Sequence, residues 1–144
     1  MSFSGSTAGT AERWIVDGMN VIGSRPDGWW RDRRGAQRRL VDRLAALPAR
    51  PGPVVVVFDG DDRPGGRHGD VGAGADGVRV VFAGVGRDAA DSVIVRMVQG
   101  HPRPSQVVVV TSDRGLAARV VRLGAAHRPA SEVQAWEGPA GQRA

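Results

Sequence analysis

Asp17, Asp59, Asp91 and Asp113 recur at one place in a repeating local pattern, at or shortly after the end of an apolar run. Asp17 follows Trp14-Ile15-Val16, and Asp59 follows Val54–Phe58. Asp91 falls in the first turn of a helix predicted after Val78–Phe82, and Asp113 follows Val107–Val110 across Thr111 and Ser112. In an open parallel sheet the carboxyl ends of the strands form one edge, and ligands bind there. Acids from separate strand-to-helix junctions would therefore meet on a single rim. Such a cluster repels itself unless a divalent cation compensates it, and carboxylate donors suit Mg2+ or Mn2+. The chemistry this permits is metal-assisted cleavage of a phosphodiester: the cation activates water and stabilises the leaving oxygen, while Arg side chains hold the flanking phosphates.

Each acid also has an ordinary structural role. Asp17-Gly18 and Asp59-Gly60 are turn dipeptides. Asp88 is expected to be an N-cap with Asp91 at the third helical position, where negative charge suits the helix dipole, and Ser112 or Asp113 can cap the following helix. Turns and caps accept Ser, Thr or Asn as readily as Asp, however, and nearly every junction here carries Asp. The coincidence of the four points to a site.

Composition removes several alternatives. All 20 basic residues are Arg, so chemistry that needs an ammonium group, such as a Schiff base or a P-loop lysine, is excluded. The absence of Cys excludes disulfides, zinc-thiolate sites and cysteine nucleophiles. His68, His101 and His127 are far apart with no ligand spacing. A formal charge of +5 and a pI of about 11.4 favour a polyanionic partner, and guanidinium groups bind phosphate in a planar, bidentate manner.

The elements that must position these residues follow from periodicity. Between Asp32 and Leu47, Ala36, Leu40, Val41, Leu44 and Leu47 recur at helical spacing, Arg31, Arg34 and Arg38 share another face, and Pro48 ends the helix. Val54–Phe58 reads as a strand buried on both faces. Gly60–Gly77 holds seven Gly and is predicted to be a mobile loop. A strand at Val78–Phe82, a helix at Asp88–Val98, a strand at Val107–Val110 and a helix at Arg114–Leu123 with Gly124 at its end follow. A short strand at Ala125–Arg128, a Ser131-capped helical turn and a frayed tail close the chain. This alternation predicts one α/β domain with a mainly parallel sheet over residues 12–137, and flexible tails at 1–11 and 138–144. No apolar run approaches the roughly 20 residues of a membrane helix. Met1–Thr10 has no basic and then apolar leader pattern, so a cytoplasmic protein is expected.

Four segments in order, Trp14–Ile22 (WIVDGMNVI), Val57–Gly60 (VFDG), Ala90–Ile94 (ADSVI) and Val109–Leu116 (VVTSDRGL), resemble the motifs of the YacP-like NYN domains, a branch of the PIN-like ribonucleases. The resemblance spans about residues 12–137. It implies a PIN-like three-layer α/β/α sandwich and a metal-dependent endoribonuclease, for which the carboxylates suit Mg2+ or Mn2+, acting on messenger RNA or in connection with the ribosome; whether as monomer or homodimer is open. By position it makes Asp17, Asp91 and Asp113 the metal-site acids and adds Asn20 and Asp59 to the catalytic set. Thr111 and Ser112 match small hydroxyl residues that could orient the last acid. Met19 stands where an aromatic is often found, and Gly86-Arg87-Asp88 replaces acidic residues expected before Ala90, which leaves a possible extra carboxylate role to Asp88.

For RNA, Trp29 and Trp30 with Arg31 and Arg34 offer indoles for bases and guanidinium groups for phosphates; equally, one Trp packs on the helix and the Arg residues are a solvated face. Arg87 and Arg114 adjoin the acids as phosphate contacts or as structural counter-ions. Arg63, Arg67 and His68 lie in the glycine-rich stretch, as an RNA clamp or as part of a spacer. Three other readings compete. Asp59 and Asp61 after a strand, with Thr111 after a later one, fit the nucleophile and acid/base of a haloacid-dehalogenase-type phosphatase, although that mechanism lacks its lysine here. Gly72–Gly77 is a literal GxGxxG, but it precedes a strand, and Gly84–Ala89 has better context yet no acid at the next strand's end. The third is a catalytically silent RNA-binding module on the same fold.

Overall fold

Valine runs flanked by turn residues have only one way to bury both faces, as inner strands of a parallel sheet covered by helices. The computed structural model, which describes residues 11–60, 69–71 and 78–143, builds this arrangement from β1 (Arg13–Asp17), β2 (Val54–Phe58), β3 (Gly69–Val71), β4 (Val78–Phe82), β5 (Val107–Val110) and β6 (Ala126–Arg128). Their order across the sheet is β3-β4-β2-β1-β5-β6. All pairings are parallel except that of β3 with β4. Every residue of β2 and β5 is buried, as the sequence predicts.

β3 is a departure, because it lies within the stretch predicted to be a loop. Two of its three residues, Gly69 and Asp70, have poor strand propensity, but Gly69, Asp70 and Val71 pair with Val80, Arg79 and Val78, covering an edge of β4 that would otherwise present open backbone groups. The remainder of that stretch, with Asp61, Arg63, Arg67, His68 and the GxGxxG segment, lies outside the described residues.

The helices are α1 (Gly18–Gly23), α2 (Arg33–Ala46), α3 (Ala89–Gln99), α4 (Arg114–Arg122) and α5 (Glu132–Arg143). They divide the core into two layers. On one face Trp14, Val16, Val56, Phe58 and Val110 pack against α1, α2 and α5 through Val21, Leu40, Leu44 and Val133. On the other, Ile15, Val55, Val57, Val107 and Val109 pack against α3 and α4 through Ile94, Val98, Leu116 and Val120. The result is the expected α/β/α sandwich.

Two boundaries differ from the sequence expectation. Ala11, assigned to the tail, is 4% exposed and belongs to the core. At the other end the chain continues as helix to Arg143, past residue 137. This helix is tied down by the edge of Trp136 against Trp14, with centroids 5.2 Å apart, and by Glu137, which pairs with Arg25 at 3.5 Å and Arg43 at 3.3 Å. These partners are distant in sequence, so local composition gives no sign of them.

The turn expected at Asp17-Gly18 is instead the start of α1. A Cβ at Gly18 would collide with the Phe58 ring and come within 3.0 Å of Val56 Cγ1. Glycine there lets α1 sit directly on β2, which turns the chain sharply enough to leave Asp17 at the strand's end.

Candidate active site

Strand order reverses at β1: β2 and β4 lie on one side of it, and β5 and β6 on the other. Ligands bind at such a switch point, beyond the carboxyl ends of the strands. Asp17 closes β1 on one flank of this crevice, and Thr111-Ser112-Asp113 leaves β5 on the other.

Thr111 joins the two flanks. Its hydroxyl donates to Asp17 Oδ2 at 2.9 Å and accepts the Asp113 backbone N–H at 3.1 Å. Its own backbone N–H donates to the Arg128 carbonyl at 2.9 Å, and His127 Nε2 lies 2.6 Å from its carbonyl oxygen. Thr111 is fully buried, so this set of contacts fixes it firmly. Asn20, on α1, crosses the same crevice: its Oδ1 accepts the Ser112 N–H at 2.7 Å. The Ser112 hydroxyl, which the resemblance offered for orienting the acid, accepts the Ala130 N–H at 2.9 Å; the hydroxyl bonded to Asp113, through its backbone N–H, is that of Thr111. Asp113 caps α4, its Oδ1 accepting from Leu116 N at 3.0 Å, which leaves Oδ2 for other work.

The electrostatics define which acids form a group. Asp17 is 6% exposed, and its pKa is pushed up from 3.8 to about 6. Burial is the largest cause; the Thr111 bond opposes it, the charge of Asp91 adds to it, the backbone amide of Asn20 opposes it, and Asp113 adds again. Asp91 is also raised, first by burial, then by Asp113 and Asp88, while Arg119 acts against them. Asp17 therefore sits in the fields of Asp91 and Asp113, and Asp91 in those of Asp113 and Asp88. Asp91 occupies the third position of α3, as expected. Asp88 precedes that helix but does not cap it: its backbone is left-handed, with φ of 65°, and its side chain accepts no capping bond. The strained turn instead presents Asp88 as an exposed carboxylate beside Asp91.

Asp59 stands apart. Its Oδ1 accepts a hydrogen bond from Arg33 at 3.1 Å, so its charge is answered by a guanidinium group. The phosphatase reading, which needs Asp59 as nucleophile, gains nothing from this pairing. Arg87 and Arg114 are exposed next to Asp88 and Asp113. Of the two indoles, Trp29 is partly buried against the core, as the packing reading expects of one ring, and Trp30 is 57% exposed. Sequence reasoning missed Arg119 and His127. No local spacing signals the first, which acts on Asp91 of another helix; the pairing of β6 with β5, which sets His127 opposite Val109, could have suggested the second.

Among the described residues, no three acidic or histidine side chains are gathered at metal-ligating distance. The donor set still suits a hard cation. A carboxyl raised first by burial and then by two like charges is short of positive charge, and Mg2+ typically takes only one or two protein carboxylates directly, keeping water for the rest of its shell.

A mainly parallel α/β/α sandwich with an acidic edge at the switch point defines a PIN-like domain. The sequence model of the YacP-like NYN domain matches residues 14–136, and the chain belongs to that family, one of nucleases acting on RNA. The fold is similar to that in two crystal structures of Rae1 (YacP) from Bacillus subtilis, one of them of a single-residue variant. Their TM-scores are 0.68 for the variant and 0.62, each at 23% identity, over 92% of this chain and 78% and 79% of those chains. No protein of curated function matches the sequence significantly.

Proposed function

We propose that this protein is a metal-dependent endoribonuclease whose reactive edge is formed by Asp17, Asp91 and Asp113, with Asp88 as an auxiliary acid. The observation that carries the reading is the buried Asp17 carboxyl, raised to about 6 by burial against the opposing Thr111 bond and under the fields of Asp91 and Asp113. A divalent cation, Mg2+ or Mn2+, held by these acids supplies activation of water and charge stabilisation on the phosphate. Thr111 orients Asp17 and the backbone of Asp113 together, Asn20 holds Ser112 across the crevice, and Arg87 and Arg114 bind the flanking phosphates. The family resemblance extends the proposal to messenger RNA, free or on the ribosome, in the cytoplasm. Among the described residues no helix is long and apolar enough to cross a membrane.

The separation of the carboxylates favours a second reading, a silent RNA-binding module on the same fold. One experiment separates them: a pool of single-stranded and structured RNA, with and without ribosomes, is incubated with Mg2+, Mn2+ or EDTA and either wild type or Asp17→Asn. Cutting that requires metal and disappears in Asp17→Asn supports the enzyme. RNA binding without cutting in any arm supports the silent module.

A further inference from the structure

Between α1 and α2 the chain makes a short turn that places aromatic surface outside the core. Gly28 is left-handed, with φ of 80°, and starts a single 3-10 turn at Trp29–Arg31. Trp29 packs inward, and the Trp30 ring stands edge-on to it at 86°, centroids 6.0 Å apart. The Arg31 guanidinium lies 5.8 Å from the Trp30 ring centroid and that of Arg33 lies 5.8 Å from the Trp29 ring centroid. Arg33 then reaches Asp59 at the carboxyl end of β2. A continuous series of contacts thus runs from the reactive edge of the sheet through Asp59, Arg33 and Trp29 to Trp30 and Arg31.

A single exposed apolar residue is unremarkable. Here the exposed ring is braced by a second indole, Arg31 lies over one of its faces, and Arg34 and Arg38 are exposed on the helix that follows; none of the three has an acidic partner among the described residues. An open π-face beside guanidinium groups is the chemistry that holds an unpaired base and its phosphates, and a base inside a duplex cannot reach it. We infer that Trp30, braced by Trp29, is a base-stacking platform for single-stranded RNA, and that Arg33 and Asp59 fix it relative to the reactive edge. Asp59 is then a positioning residue, separate from the acidic group. The inference takes its ligand from the ribonuclease reading.

The test uses the full chain. Binding of a labelled single-stranded 12-mer and of the same sequence in a duplex is measured in EDTA for wild type, Trp30→Ala and Trp30→Phe. Loss of one stacked base weakens binding about tenfold; Trp30→Ala is expected to lose that much on the single strand and nothing on the duplex, with Trp30→Phe restoring most of it. Equal binding by Trp30→Ala and wild type, or equal losses on both RNAs, overturns the platform, and unaltered RNA binding would assign the exposed ring to a protein partner instead. Cleavage by wild type that Trp30→Ala leaves unchanged refutes the platform alone. Selective loss of single-strand binding in a protein that never cuts refutes the nuclease reading alone. For Asp59→Asn the expected result is a higher KM or shifted cut positions with an unchanged Mg2+ midpoint; a shifted Mg2+ midpoint would return Asp59 to the metal site.

Discussion

Asp17→Asn should stabilise the protein while removing its activity. Folding raises the Asp17 carboxyl from 3.8 to about 6, so between those values the folded state binds more protons than the unfolded state, and stability falls as pH rises. Above about pH 6 the full cost of keeping the group ionised is present, about 3 kcal/mol from that difference. Asparagine keeps an oxygen for the Thr111 hydroxyl and carries no charge. The difference between Asp17→Asn and wild type, measured by urea unfolding in EDTA, should approach about 3 kcal/mol at pH 7.5 and shrink towards zero below pH 4. For a domain of this size that is a rise in Tm of about 10 °C at neutral pH. Mg2+ should narrow the gap by stabilising wild type alone. A variant equal to or less stable than wild type at pH 7.5, or a gain independent of pH, would refute the argument that burial and like charges load this carboxyl.

Thr111→Val removes the donor that lowers the Asp17 pKa and the acceptor of Asp113 N–H; the acid limb of the pH–rate profile should move to higher pH, and urea unfolding should show a loss of about 1–3 kcal/mol. Gly18→Ala should cost about 1–3 kcal/mol in the same assay, because the added methyl group meets the Phe58 ring with no room to retreat. Trp136→Ala removes the edge contact with Trp14 and should cost about 2 kcal/mol or more, read as an earlier urea midpoint at an unchanged slope.

The layers and inner strands are legible in the sequence because they rest on local signals. Val54–Phe58 and Val107–Val110 are β-branched runs with turn residues at their ends, and the apolar spacing from Ala36 to Leu44 defines α2. What could not be read depends on distant partners. Gly69–Val71 is a strand only because β4 offers an edge, and the chain is helical past residue 137 in a helix that Trp14, Arg25 and Arg43 receive. In the site, strand-end spacing puts all four of Asp17, Asp59, Asp91 and Asp113 at one edge, and only the family resemblance singles out Asp17, Asp91 and Asp113. The Arg33–Asp59 pair, which separates Asp59 from that group, spans 26 residues and leaves no periodic trace. Nor does a sequence reveal that Asp88 adopts a left-handed backbone instead of capping its helix.

The bond between Thr111 and Asp17 joins positions 94 apart in the chain, and β1 has β5 as one of its two neighbours. Closing a loop of this length costs chain entropy that the contacts between the two strands must offset. A nascent or truncated chain that stops short of Val107 has no second neighbour for β1, no hydroxyl to hold Asp17 and no Asp113. A chain of that length thus carries Asp17 and Asp91 without the edge that assembles them, and whatever reactivity the edge has is withheld until β5 and Asp113 have been made.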